Sequence, residues 1–217
     1  MIIDLQSYKD NLSQLDSTFT GTNRVLDNRS KKYFEQGIAF LKEVPSKRLI
    51  FNKLFGTNWE EEVSYLKLGA KAEWKLTTST KVDALVNENK AIEYKKIKQF
   101  YNNGRIDEHQ FKKLFNPFAA ENYRNPITNT SIASEGVLGD CEKLCMLPDE
   151  YEKYVVLEYH HGIYDSEAIL NALDAQVRTH YDVDKDSIIV DSCLHPYNPK
   201  CAIVVYKING KKGTKNA

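Results

Sequence analysis

No stretch of the chain holds eighteen consecutive apolar side chains, and its longest apolar runs are of strand length. That argues against a helical membrane span. No basic-then-apolar leader opens the sequence either, since Met1-Ile2-Ile3 runs at once into Asp4 and Gln6. A soluble protein of the cytoplasm is therefore expected, with no membrane partner. Cysteine is sparse: Cys141, Cys145, Cys193 and Cys201 are all there are. So few thiols do not make a disulfide scaffold at this length, and they read as small buried hydrophobes. Also missing are a phosphate-binding P-loop, a dinucleotide-binding fingerprint and a Gly-x-Ser-x-Gly elbow, so nucleotide hydrolysis and serine esterase chemistry have no support. Net charge is absent as well, with 30 basic residues against 30 acidic ones. Such balance argues against indiscriminate binding of polyanions.

What is present is a core's worth of apolar residues, 41% of the chain, with 11% aromatic. At 217 residues this suits one domain of above-average size, with a helical part over 1–56 and a core over 57–217. The charge is balanced but unevenly spread. Lys90 to Arg124 carries eight basic and four acidic residues, Glu135 to Asp191 four basic and fourteen acidic, and Ser192 to Ala217 five lysines and no acid. A protein that holds a polyanion on one face while staying soluble has this pattern, as do many that bind none.

Apolar periodicity predicts helices in the first 55 residues, one carrying Tyr33, Phe34, Ile38, Phe40 and Leu41 and ending near Pro45, the next marked by Leu49, Ile50, Leu54 and Phe55. Asn58, with Glu61 three residues on, has the pattern of a capping box and predicts a helix from Trp59 to Leu68, closed by Gly69. Strands are then expected over 72–78, 81–86 and 90–97, the last two joined by a short turn at Asn87-Glu88-Asn89. A basic helical region about Asp107 to Phe115 and a long irregular stretch follow. Tyr154 to His160 reads as a buried strand, Ser166 to Tyr181 as an amphipathic helix, and Ser187–Val190 and Ala202–Ile208 as closing strands. The expected fold is α/β, with a mixed central sheet of about five or six strands flanked by helices.

The segment that carries chemistry is Lys81 to Lys98. Alternation along a strand puts Glu93 and Lys95 on one face and Ile92 and Tyr94 on the other. Asp83 lies on the preceding strand, and a three-residue turn at Asn87 to Asn89 brings it towards Glu93. Asp83, Glu93 and the main-chain carbonyl of Tyr94 offer the hard oxygen ligands that Mg²⁺ prefers, leaving coordination sites for water and a phosphate oxygen. Lys95 is placed to orient an attacking water and to offset phosphate charge. Alone, a Glu-x-Lys pair on a strand is usually a solvated ion pair.

Asp83, nine intervening residues and Glu93-Tyr94-Lys95 resemble the PD-(D/E)xK nuclease superfamily, best known from type II restriction endonucleases. The surrounding order of helix, strand, hairpin with the acid, ExK strand and helix agrees, while Val82 stands where many members have proline. The resemblance implies a restriction-endonuclease-like core and a Mg²⁺-dependent, sequence-specific endonuclease that cuts double-stranded DNA to leave 5′-phosphates. It further implies a homodimer in a prokaryotic cell. The family often adds an acid from the helix before the sheet; Glu62, or else Glu61, is the candidate, although acids in a first helical turn also serve the helix dipole. The basic, amide-rich run with Lys96, Lys98, Gln99, Asn102, Asn103 and Arg105, together with Arg124, supplies candidate DNA contacts. Two other readings stand beside this one: a structure-specific or repair nuclease of the same fold, and a non-catalytic nucleic-acid-binding protein in which the three residues form a salt-bridge cluster. Cys141, Cys145, Cys193, His195 and Cys201 match no common structural-zinc spacing, and His160-His161 lacks a supporting motif.

Overall fold

The computed structural model describes residues 3–18, 24–26, 31, 33–35, 37–70, 76, 79–99, 114–115, 136–161, 165–191 and 200–213. The elements run α1 (Leu5–Thr18), a small hairpin of β1 (Arg24–Leu26) and β2 (Tyr33–Glu35), a 3-10 turn (Ile38–Phe40), α2 (Glu43–Phe55), β3 (Trp59–Ser64), β4 (Lys81–Val86) and β5 (Lys90–Lys98). After these come α3 (Val137–Leu144), β6 (Glu152–His160), α4 (Ser166–His180), β7 (Tyr181–Asp191) and β8 (Lys200–Lys211). Six strands make one mixed sheet in the order β3-β4-β5-β6-β8-β7. Among the described strands, only β5 and β6 pair in parallel. A parallel pair needs a crossover between its strands, and α3 lies within that connection. Among the described residues no helix is long and apolar enough to cross a membrane.

Two apolar clusters fill the two faces of the sheet. Tyr8 and Leu12 of α1 and Ile50 and Phe51 of α2 pack on Ile92, Tyr94, Val156 and Ile203. Val137, Cys141 and Leu144 of α3 and Leu173 and Val177 of α4 pack on Ala91, Ile97, Val155, Leu157 and Val204. Covered on both sides, β6 is buried from Lys153 to His160, which explains its almost unbroken β-favouring sequence. The α/β architecture is thus the expected one, with helices on both faces of a six-stranded mixed sheet.

Three local expectations fail. Trp59–Ser64 is a strand, not a helix; Asn58 donates its N–H to Phe55 O and so closes α2 instead of capping a new helix. Pairing of Trp59, Glu61 and Val63 with β4 outweighs the local capping pattern, as tertiary context commonly does. Residues 33–35 are likewise a strand. Pro45 sits in the first turn of α2, where a missing N–H costs nothing. The hairpin is as expected: Val86 pairs with Lys90 around the three-residue turn, with Asn87 and Glu88 both at positive φ. The strand expected over 72–78 and the helix about 107–115 lie almost wholly outside the described residues.

Candidate active site

The sheet forks beside Asp83. The last β4–β5 pair is Ala84 with Ile92, whereas β5 stays paired with β6 as far as Lys98 and His160. On the other side, β3 pairs with β4 to either side of Asp83, Glu61 with Ala84 and Val63 with Val82, while Glu62, with its left-handed φ of 57°, stands opposite Asp83 outside the pairing. Backbone donors on the opened edge of β5 therefore need other acceptors, since an unmade buried hydrogen bond costs about 1–3 kcal/mol. Carboxylates fill that need. Tyr94 N–H donates to Asp83 Oδ2 at 2.9 Å, and Lys96 N–H donates to Glu43 Oε2 at 3.1 Å. A residue's N–H and C=O lie on the same side of a strand, so the Tyr94 carbonyl also points into the fork.

Glu93 and Lys95 project from the face covered by α3. Tyr65, in the turn after β3, donates its hydroxyl to Glu93 Oε1 at 2.6 Å, and Lys143 of α3 lies 3.1 Å from the same oxygen. Asp140 of α3 sits between two ammonium groups, with Oδ2 at 3.3 Å from Lys95 and Oδ1 at 3.1 Å from Lys143. Asp83 is held from α2, its Oδ1 at 2.8 Å from Lys47, which also lies 3.4 Å from Glu61 Oε1.

The charges do not balance. Four carboxylates (Glu43, Asp83, Glu93 and Asp140) share three ammonium groups (Lys47, Lys95 and Lys143), while Glu61 also has exposed Arg48 at 2.7 Å. The titration of the group follows from that shortage. Burial pushes the Glu93 carboxyl well above the usual carboxylate range; Lys143 opposes this, and Asp140 and Asp83 add to it. Burial raises Glu43 as well, against the pull of Lys95. At Asp83 burial is outweighed by Lys47 and by hydrogen bonds, and the pKa is lowered. Burial works against the charge on Lys95, but Asp140, Glu43 and Glu93 outweigh it and raise its pKa. Among the described residues the carboxylates of the group outnumber its ammonium groups by one, which a proton or a metal ion would offset.

The donor set fits a hard divalent cation. It consists of carboxylate and carbonyl oxygens without a thiol or imidazole, and neither oxygen of buried Asp140 receives a well-aligned hydrogen bond. A pH effect follows. Glu93 has a folded-state pKa above its unfolded value, so the metal-free fold pays nothing when both states are protonated and loses stability as pH rises from about 4.5 towards the raised value. Glu93→Gln should therefore raise the melting temperature of the metal-free protein at pH 8 and leave it unchanged near pH 4. An equal effect at both pH values would contradict this origin.

Asp83, Glu93 and Lys95 thus come together as expected, but other candidates do not. Glu62 stands opposite Asp83 in the β3–β4 register, but its side chain is exposed and paired with Lys81 at 3.2 Å. The acid on the helix before the sheet is instead Glu43, because that helix is α2. Lys96 is not a DNA contact: it is buried beneath α2, with its ammonium on Glu158 Oε1 at 2.7 Å, Ile38 O at 2.8 Å and Ser46 Oγ at 2.9 Å. Gln99 is fully buried and donates to Tyr159 and Ser166 hydroxyls, so it does not face a duplex either. Lys98 is half-buried at the end of β5. Asn102, Asn103, Arg105 and Arg124 lie outside the described residues. Glu43, Lys47, Tyr65, Asp140 and Lys143 are the members that local sequence patterns did not reveal.

A second polar cluster lies under α1 and α2. Glu158, His160 and Cys201 form, among the described residues, the one group of three metal-type ligands whose atoms lie mutually within 4.8 Å. Lys96 already supplies a cation there, and Tyr94 donates to Glu158 Oε2. His160, at 2.6 Å from Glu158, is held neutral, its pKa lowered by burial to about 4. This is a buried ionic network that already holds a cation, although His160 Nδ1 has no hydrogen-bond partner among the described residues. Cys141 and Cys201 are buried on opposite faces of the sheet and so do not share a metal ion; Cys193 and His195 fall outside the described residues.

Comparison with known proteins gives no match: no family model, no curated protein and no solved structure is significantly similar to the chain.

Proposed function

We propose that the protein is a Mg²⁺-dependent endodeoxyribonuclease of the restriction-endonuclease-like kind, hydrolysing phosphodiesters in double-stranded DNA to leave 5′-phosphates. The observation that carries this reading is the fork itself, where Asp83, Glu93 and the Tyr94 carbonyl converge beside Lys95 in a group that is, among the described residues, short of positive charge. The order of α2, β3, the β4–β5 hairpin and α3 is also the order that the resemblance to PD-(D/E)xK nucleases implies. In this reading Asp83 and Glu93 hold Mg²⁺, with Glu43 close by on α2. Bound there, the ion lowers the pKa of coordinated water and neutralises charge developing on the phosphate. Lys95 orients the attacking water and offsets phosphate charge, while Asp140 keeps its ammonium in place. Tyr65 fixes the rotamer of Glu93, and Lys47 that of Asp83. Sequence-specific cutting by a homodimer in a prokaryotic cytoplasm completes the proposal, one site acting on each strand of a symmetric sequence.

The test is cleavage of plasmid DNA with Mg²⁺ or with chelator. Discrete fragments that need the metal support the proposal, a smear favours a nuclease without sequence specificity, and intact DNA under all conditions refutes both. Glu43→Gln should lower the rate by about tenfold or more, as expected for loss of a group acting on the transition state. Glu62→Ala should leave it unchanged, and the opposite pattern would restore Glu62 to the site.

A further inference from the structure

We propose that Lys143 is a resident counter-ion of the active site: its ammonium holds the place of a divalent cation on Glu93, leaves that carboxylate when the cation is bound, and then serves beside Lys95 as a second positive charge for the DNA phosphate. The inference rests on reading the site as that of a metal-dependent nuclease.

Three features of the geometry carry it. Glu93 Oε1 already meets both the Tyr65 hydroxyl and the Lys143 ammonium. A divalent ion and an ammonium on one buried carboxylate repel strongly, because low dielectric screens little. Of the two partners, Tyr65 is neutral and can stay, so Lys143 is the one displaced.

Lys143 also has somewhere to go. Asp140, one helical turn away on α3, lies as close to its ammonium as Glu93 does, at 3.1 Å. The other oxygen of Asp140 already lies 3.3 Å from Lys95. Once off Glu93, Lys143 is tethered next to the ExK lysine, and both ammonium groups border the place of the phosphate. Finally, Lys143 belongs to α3 and not to the sheet, so its side chain swings without disturbing the strand that carries Glu93. Lys47 is differently placed, because it also donates to the main-chain carbonyl of Asp83 at 3.3 Å and is fixed to β4 itself.

The test measures metal binding apart from activity. In Lys143→Met, Ca²⁺ titrated calorimetrically into the metal-free protein should bind about tenfold more tightly than in wild type, since a competing cation is gone. Mg²⁺-dependent DNA cleavage by the same variant should be slower. A merely structural lysine would weaken both together. Lys143→Arg keeps the charge, should bind Ca²⁺ like wild type, and reports on the idea even if the methionine variant fails to fold. Unchanged or weaker Ca²⁺ binding by a folded Lys143→Met, or tighter binding by Lys143→Arg, overturns the proposal and leaves the nuclease reading standing. Absence of Ca²⁺ binding by wild type overturns both.

Discussion

Replacing Lys95 with alanine should lower Mg²⁺-dependent DNA cleavage by about 10²–10³-fold while leaving divalent-metal binding intact, the usual scale for removing one preorganised charge that stabilises a transition state. The two readouts separate because Lys95 is not a candidate ligand. Its side chain is 16% exposed and its ammonium lies 3.3 Å from Asp140, where it offers no oxygen to a metal. Removing it makes the group more negative, so Ca²⁺ affinity should hold or rise. Glu93→Gln is the contrast: it takes away an anionic oxygen, and metal binding and cleavage should fall together. Cleavage by Lys95→Ala at the wild-type rate would show that the ExK lysine is only a salt-bridge partner of Asp140.

The second large effect is on stability, on the reverse side of the same strand. Lys96→Met should destabilise the fold by about 3–5 kcal/mol, the usual cost of removing one partner from a buried ion pair. Glu158 is wholly buried and its charge is matched by Lys96 at 2.7 Å. Burial alone would raise the Glu158 pKa, and Lys96 and His160 hold it far below the usual range instead, so without Lys96 an ionised carboxylate is stranded in the core. Replacing Glu158 as well, with glutamine, should cost much less than the sum of the two single changes. Urea unfolding of the two single variants and the double variant measures this, and strict additivity would contradict a direct ionic coupling. The network matters for the site because Tyr94 and Lys96 fix the back of β5 while their N–H groups hold Asp83 and Glu43 at its edge.

The parts of this site visible in the sequence are those that depend on local geometry alone. Strand alternation places Glu93 beside Lys95, and a three-residue turn sets the register that carries Asp83 towards Glu93. The same alternation separates Lys96 from Lys95. The basic run is therefore not one surface, and Lys96 is buried under α2. Glu43 and Lys47 are hidden because Pro45 also fits a helix end, whereas an acid and a proline within a first turn are a helix-start signal. Asp140 and Lys143 left a fainter trace. Val137, Cys141 and Leu144 recur at helical spacing, and two charges packed among them in a buried helix are the kind of exception that marks a functional site. That α3 meets β5 at Glu93 and Lys95 depends on the parallel crossover, which no local pattern encodes. The β3 strand is invisible to local patterns for a similar reason, since its stability comes from pairing with β4.

The most direct test of the account is a crystal soaked in Mn²⁺ and examined for anomalous scattering. A single strong peak between the carboxylates of Asp83 and Glu93, lost in Glu93→Gln, is the expected result. A peak at Glu158, His160 and Cys201 instead, or none at saturating Mn²⁺, would contradict a metal-dependent active site at the fork.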